Sequence, residues 1–288
     1  MKSGDRKASD AGREQSLFDL SIVIPLGEGD GGIGALLTAV AGLARGVGGK
    51  VEVVLVDDGM PHGFETIATR WRTQFAGLVV ARHENRKGRG AAARTGVLAA
   101  RGEYLVMIDP QSEVPLNNAD QLIEALQRGA DVALVSRHPE EHSEAEQKSF
   151  LERATRTTVM RLSQMMVDVG VRDCFSGLTA FRMRAAKKIA QRSRVSGAAY
   201  PVEWLALAQY LCFQVVEFPL LWVRGPLMGE RARRGTTPFS LLKDVWQTRR
   251  RLANDDYSTS LHQSELLSDT SFRKLDRETL QQIRRSGR

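Results

Sequence analysis

Short apolar runs alternate with helix-spaced segments through the first half of the chain. Leu20–Pro25, Val51–Val56, Leu78–Ala81, Tyr104–Ile108 and Val132–Val135 read as strands. Val51–Val56 is apolar at almost every position, the pattern of a strand buried on both faces. Between these runs, apolar residues recur at helical spacing over Ile33–Ala44, Phe64–Phe75, Ala91–Ala100 and Asp120–Gln127. Strands alternating with helices predict an α/β domain, a mostly parallel sheet with helices on both faces. Pro139–Gln147 is an acidic, polar loop. Phe150–Val169 returns to helical spacing through Val159, Leu162, Met166 and Val169, a stripe expected to face the core. Residues 1–18 form a polar tail, residues 19–252 a single domain, and residues 253–288 a charged tail with a short amphipathic stretch from Phe272 to Ile283. No internal repeat is present.

Composition narrows the class. A chain of 288 residues with 42% hydrophobic content can bury one sizeable core. The formal net charge of +7 points to an anionic partner: a nucleotide, a phospholipid surface or a lipid phosphate. Nucleic acid is not expected, because no helix-turn-helix, zinc-finger or aromatic-basic recognition motif is present. The two cysteines, Cys174 and Cys212, are too few for a disulfide framework and lack metal-ligand spacing. Both lie in apolar sequence and are expected to be buried. The sequence holds no apolar run of about 18 residues, the span of a bilayer. Met1–Ser16 lacks a signal-peptide core. A cytoplasmic protein, peripheral at the inner face of the membrane, is the expectation.

Chemistry gathers where the strands end. Val51–Val56 runs into Asp57-Asp58-Gly59, and Tyr104–Ile108 into Asp109-Pro110-Gln111-Ser112-Glu113. In open α/β sheets, ligands bind beyond the carboxyl ends of the strands. Asp109, Gln111 and Glu113 alternate, so an extended segment would place all three on one face. Such hard oxygen ligands suit Mg2+ or Mn2+. Between the two strand ends lies Arg86-Lys87-Gly88-Arg89-Gly90, leading into Ala91-Ala92-Ala93-Arg94-Thr95-Gly96. Its glycines allow close backbone approach and its cations suit phosphate. Ordinary turns would also account for each motif alone.

Taken in order, these pieces resemble the family 2 glycosyltransferases, which have a GT-A fold, and among them the dolichyl- or polyprenyl-phosphate sugar synthases. The resemblance runs from Leu20 to about Leu252. It rests on Ser21-Ile-Val-Ile-Pro25, Val56-Asp57-Asp58-Gly59, Gly88-Arg89-Gly90 through Gly96, Ala100-Arg-Gly102-Glu103-Tyr104 and the Asp109 strand end. It continues through Arg172-Asp173-Cys-Phe-Ser176-Gly177 to Arg182, Tyr200-Pro-Val-Glu203-Trp-Leu-Ala, and Val216-Glu-Phe-Pro219-Leu-Leu-Trp222. It implies a Rossmann-like sheet in one catalytic domain and an inverting hexosyltransferase using a UDP- or GDP-linked sugar and Mg2+ or Mn2+. Pro25, Asp57, Asp58, Gly88, Arg89 and Gly90 are the implied nucleotide side, and Asp109, Gln111 and Glu113 the metal ligands. Asp109 and Asp173 are the implied catalytic residues.

Arg153, Arg156, Ser176, Arg231, Arg233 and Arg234 are the candidate acceptor side. A lipid-phosphate acceptor at a membrane surface is implied as partner, and the basic stretch Arg231–Arg251 suits such a surface. Arg153 and Arg156 also read as a solvated helix face, and Asp173 as a turn cap.

Departures from the family pattern keep alternatives open. Pro25 is followed by Leu26-Gly27-Glu28-Gly29 rather than Ala-Tyr-Asn-Glu, and the usual Asp-x-Asp is Asp109-Pro110-Gln111. Glu113 then restores the second acid. A transferase acting on a hydroxyl acceptor, with Asp173 as base, remains an alternative. So does a catalytically silent module that binds a nucleotide or a partner. The Gln-x-x-Arg-Trp motif of processive synthases is absent, which favours a single transfer.

Overall fold

The structure is a computed structural model and describes residues 16–27, 32–60, 64–111, 115–136, 161–163, 165, 167, 170–221, 237–261, 266–267 and 270–274. Its strands are β1 (Phe18–Gly27), β2 (Val51–Asp58), β3 (Gly77–His83), β4 (Gly102–Ile108), β5 (Val132–Ser136), β6 (Leu178–Arg182), β7 (Val215–Pro219) and β8 (Thr270–Lys274). Its helices are α1 (Ile33–Gly46), α2 (Phe64–Trp71), α3 (Arg89–Ala99), α4 (Ala119–Gln127), α5 (Met183–Arg192), α6 (Tyr200–Tyr210) and α7 (Pro238–Ala253). The strands form one eight-stranded sheet in the order β7-β5-β6-β4-β1-β2-β3-β8.

Period two explains the two-sided core. Along β1, Leu20, Ile22 and Ile24 enter one apolar cluster while Val23 enters the other. In β2, Val53 and Leu55 take the first side and Val54 and Val56 the second. Alternate side chains of a strand point to opposite faces, so both faces must be covered. α1 and α4 cover one face through Leu36, Leu37, Val40, Leu122 and Leu126. α3, α5, α6 and α7 cover the other, through Ala92, Val97, Ile189, Trp204 and Val245 among others.

α3 lies close to the sheet because its inner face is small. Ala91, Ala92 and Ala93 are buried. A Cβ on Gly96 would sit 2.3 Å from Val23 Cγ1. Only glycine permits that approach.

The central strands β3-β2-β1-β4 are parallel, as the sequence predicts. β6 is not; it runs antiparallel between β4 and β5 and separates two strands the alternation alone would make neighbours. Leu178-Thr-Ala-Phe-Arg182 mixes small, polar and apolar residues, which hides a strand from pattern reading. β7 pairs in parallel with β5.

The segment after residue 252, expected as an appended tail, is in part built into the domain. β8 pairs antiparallel with β3, from Val79↔Lys274 to His83↔Thr270, where an amphipathic stretch was expected to begin at Phe272. Tyr257 is fully buried, and its hydroxyl donates to Glu203 Oε1 at 2.7 Å. Burial and the Glu203 charge push the Tyr257 hydroxyl pKa up, so it remains a donor.

The cysteines divide. Cys174 is buried as expected, but Cys212 is exposed. It follows α6 with φ 56°, while its N–H reaches Gln209 O and the Phe213 N–H reaches Ala208 O. That is a Schellman stop, usually made by glycine, and it turns the side chain outward.

Tyr257→Phe should lower stability by about 1.5–3 kcal/mol, the range for a buried hydrogen bond to a charged acceptor. Urea unfolding curves of the two proteins measure the difference.

Candidate functional site

The parallel strands β1 to β4 end side by side, and their last residues carry the polar chemistry. Asp57 and Asp58 close β2; Arg82 and His83 close β3, with Asp57 opposite Arg82 in the register. Asp57 Oδ1 accepts the N–H groups of Gly59 at 3.1 Å and Met60 at 2.8 Å, and Oδ2 accepts from Arg82 Nε at 2.7 Å. Asp58 Oδ1 accepts from Lys87 N–H at 2.6 Å and lies 2.8 Å from His83 Nδ1. Asp58 Oδ2 accepts from Gly88 N–H at 2.8 Å. His83 Nε2 meets the Thr95 hydroxyl of α3 at 2.9 Å.

Burial opposes ionisation of Asp58, but the bonds from His83, Lys87 and Gly88 outweigh it and hold the carboxyl below its ordinary pKa. An ionised carboxylate only accepts, so His83 carries its proton on Nδ1. The two acids expected to contact a nucleoside are 1% and 3% exposed. Asp58 fixes the loop between β3 and α3, and Asp57 fixes the turn after β2.

The start of α3 is held from its other side. Gly90 N–H donates to Ser196 O at 2.8 Å, which satisfies a donor at the start of the helix. A Cβ on Gly90 would sit 2.5 Å from Val195 O and 2.8 Å from Tyr200 Cβ, so glycine here serves loop packing.

The 193–197 loop is fixed by the fully buried Glu203. Its oxygens accept from Ser193 Oγ at 2.6 Å, Arg194 N–H at 2.8 Å and Val195 N–H at 3.0 Å, besides Tyr257. Arg94 Nη1 bonds Ser193 O at 3.0 Å beside it. Burial lowers the Arg94 pKa, and the Glu203 charge opposes that shift.

Between these anchors Arg89 reaches toward β4. Its Nη1 lies 3.1 Å from Asp109 Oδ1 and 3.3 Å from Pro25 O. This joins three of the sequence candidates in one place. Asp109 Oδ1 also accepts Gln111 N–H at 3.0 Å. Asp109 Oδ2 accepts no hydrogen bond among the described residues.

β6 runs antiparallel to β4, so its leading turn arrives at the same end: Asp109 N–H donates to Gly177 O at 2.9 Å. A small cleft lies here, bordered by Asp109, Ser176, Gly177, Thr179, Tyr200 and Trp204 among others. Ser176 Oγ is tied to Leu178 O at 2.8 Å.

Asp173 is 2% exposed and is not part of the cleft wall, which its neighbours Cys174 and Ser176 supply. Its Oδ1 accepts Phe175 N–H at 3.1 Å, and its own N–H donates to Glu217 of β7 at 2.9 Å. Through the Phe175 bond it holds the turn before β6. Glu113, Arg153, Arg156, Arg231, Arg233 and Arg234 lie outside the described residues.

Sequence reasoning missed His83, Arg82, Thr95 and Glu203 as organisers. A parallel register places neighbouring strand ends together, so Arg82-His83 beside Asp57-Asp58 was the available signal.

The donor chemistry suits a hard divalent cation in one respect: an Asp109 oxygen without a hydrogen-bond donor among the described residues borders the cleft, two residues from an amide side chain. Among the described residues no group of three acids, histidines or cysteines converges as a metal site. The rest of a coordination shell would have to come from a ligand, water or Glu113.

A family model described as Glycosyl transferase family 2 matches residues 21–190, more than half of the chain. The chain belongs to glycosyl transferase family 2. The match spans β1 to β6 and so includes Pro25, the Asp57-Asp58 end, Arg89, Asp109 and Ser176.

Among curated proteins, this family 2 chain is similar to a dolichyl-phosphate beta-glucosyltransferase of Saccharomyces cerevisiae, 26% identical over 73% of this chain and 68% of the relative. The corresponding protein of Dictyostelium discoideum is 22% identical over 69% of this chain and 62% of its own length. The human one is 27% identical over 59% and 55%. The chain thus spans between about half and two thirds of most of these relatives.

Among solved structures, glucosyl-3-phosphoglycerate synthase from Mycobacterium tuberculosis with Mn2+, UDP-glucose and phosphoglyceric acid superposes with TM-score 0.53. It is 18% identical and covers 90% of this chain and 83% of that one. That likeness shows the GT-A fold.

Asp58→Asn should cost about 1–3 kcal/mol at neutral pH, because the amide cannot accept from all three donors. A depressed carboxylate pKa contributes stability above the ordinary aspartate value and loses it as pH falls through the folded value. Stability curves of wild type and variant should therefore begin to converge as pH falls below about 4. Gly90→Ala should also destabilise, by about 1–3 kcal/mol for a clash against backbone, read as a lower thermal midpoint.

Proposed function

We propose that this chain transfers a hexosyl group from a UDP- or GDP-linked sugar to a polyprenyl-phosphate-type acceptor, with inversion at the anomeric carbon. The observation that carries the reading is Asp109. It stands at the carboxyl end of β4, joined to Arg89 at 3.1 Å, with its second oxygen lacking a donor among the described residues beside the cleft. In support, the curated relatives are dolichyl-phosphate glucosyltransferases, and the related fold of the mycobacterial synthase binds UDP with Mn2+.

In this reading Pro25, Asp57, Asp58 and the 86–90 loop shape the nucleotide side, with the two acids acting through the backbone they hold. Arg89 sets a fixed positive charge where a diphosphate lies. Such preorganised charge counts most where negative charge grows on the leaving nucleotide. Asp109 and Gln111, with Glu113, are the residues to hold Mg2+ or Mn2+, which when bound adds Lewis-acid stabilisation of the same charge.

The acceptor oxygen forms its bond to the anomeric carbon as the bond to the nucleotide phosphate breaks on the opposite face. A lipid phosphate is already ionised near neutral pH, so this route needs no strong general base. That agrees with a buried, turn-capping Asp173. Among the described residues no helix is long and apolar enough to cross a membrane. The chain would then meet a membrane-borne acceptor from the bilayer surface.

The Arg89–Asp109 pair also favours a second reading, a nucleotide-binding module that works without metal, since the arginine already neutralises the acid.

Calorimetric titration of UDP-glucose and GDP-mannose, with and without Mn2+, separates the two. The expected result is Mn2+-dependent binding that Asp109→Asn weakens about tenfold or more, roughly 1.4 kcal/mol. Tight binding indifferent to Mn2+ and to Asp109→Asn supports the metal-free module. Absence of binding to any sugar nucleotide overturns both. Transfer to a water-soluble hydroxyl acceptor but to no polyprenyl phosphate overturns the acceptor assignment.

A further inference from the structure

α7 buries one face and leaves an unusual one outside. Leu241, Val245 and Thr248 point into the domain, where Leu241 and Val245 join the cluster containing Tyr200 and Trp204. On the opposite side Phe239 is 78% exposed and Trp246 is 51% exposed. Positions 239, 243, 246 and 250 follow the i, i+4, i+7, i+11 spacing of one helical stripe. They are Phe239, Lys243, Trp246 and Arg250, with Arg249 on its flank. Lys243, Arg249 and Arg250 are exposed, and the Arg250 guanidinium lies 5.8 Å from the centre of the Trp246 ring. No acidic residue shares the stripe; Asp244 is turned inward against Gly197.

Large exposed aromatics are costly in water unless something covers them. Aromatic rings flanked by arginine and lysine match the headgroup zone of an anionic bilayer, where the ring meets acyl chains and the cation meets lipid phosphate. Position agrees with this. Gly197, against which Asp244 packs, adjoins Ser196, which bonds the first turn of α3 beside Arg89. α7 therefore flanks the end of the sheet where the cleft lies.

We propose that the outward face of α7 docks on an anionic lipid surface, with Phe239 and Trp246 as anchors and Lys243, Arg249 and Arg250 as counter-charges. The inference deepens the lipid-phosphate reading and rests on it for the purpose of the contact. The contact itself is measured without donor or acceptor.

The test is co-sedimentation of the full chain with vesicles of phosphatidylglycerol in phosphatidylcholine, and with phosphatidylcholine alone. Wild type should bind the anionic vesicles, release them as salt rises, and bind neutral vesicles little. Phe239→Ser with Trp246→Ser should lower the bound fraction about fivefold or more, as should Lys243→Gln with Arg249→Gln and Arg250→Gln. Because these side chains are exposed, the thermal midpoints of both variants should match wild type.

Equal vesicle binding by wild type and the aromatic variant overturns the proposal. So does equal binding to neutral vesicles. Concentration-dependent dimerisation without vesicles, lost in the aromatic variant, assigns the face to a second copy and overturns it. Binding of single-stranded RNA in place of vesicles also overturns it. If vesicle binding follows the stripe while no polyprenyl phosphate is glycosylated, the surface stands and the acceptor reading falls. If polyprenyl phosphate is glycosylated in detergent but no vesicle binds, the reverse holds.

Discussion

A carboxylate removed from water must be surrounded by donors, and two such carboxylates organise this molecule. Glu203 is fully buried and gathers the Ser193 hydroxyl, two backbone N–H groups and the Tyr257 hydroxyl. Asp58 gathers His83 and the N–H groups of Lys87 and Gly88. Each leaves about 1–3 kcal/mol of desolvation unmet if a donor is lost. Between them they clamp the start of α3: Asp58 from the strand side, and Glu203 through the loop that presents Ser196 O to Gly90. The placement of Arg89 against Asp109 follows from that clamp.

This arrangement separates holding from reacting. The buried acids are occupied and make rigid backbone, while Asp109, half-buried, keeps an oxygen open beside the cleft. A site of this kind meets a charged ligand without reorganising, because its dipoles are already fixed by groups that never touch the ligand. Membership of glycosyl transferase family 2 accords with such a division at the carboxyl edge of a parallel sheet.

Much of this was readable from residue order. The four strands that carry the central parallel sheet announce themselves because each is largely apolar on both faces, and the acids that end β2 and β4 stand out against that background. What each acid does was not readable. Asp57 and Asp58 look like ligand residues in sequence, yet their partners Arg82 and His83 are 25 residues away, and only the parallel register brings them together. β6 and β8 escaped because five-residue strands with one or two large apolar side chains carry almost no periodic signal. Glu203 was visible as a motif letter, but Tyr257 lies in a segment whose charge makes it resemble a tail. Cys212 was misjudged for a related reason: its apolar neighbours suggested burial, while the helix stop beneath it turned its side chain outward.

The antiparallel course of β6 has an architectural consequence. Arg89 and Asp109 come from the stretch ending near Gln111, whereas the cleft residues from Cys174 to Leu205 come from a later part of the chain that enters the sheet against the grain. The two parts are bound along the whole β4–β6 ladder, from Tyr104↔Arg182 to Ile108↔Leu178, and again where Gly90 N–H meets Ser196 O. A change of shape in one is therefore passed to the other. An exchange of the later part alone would have to keep the β6 register and the 193–197 loop, or it would displace Arg89 and Asp109 together with the residues it replaced.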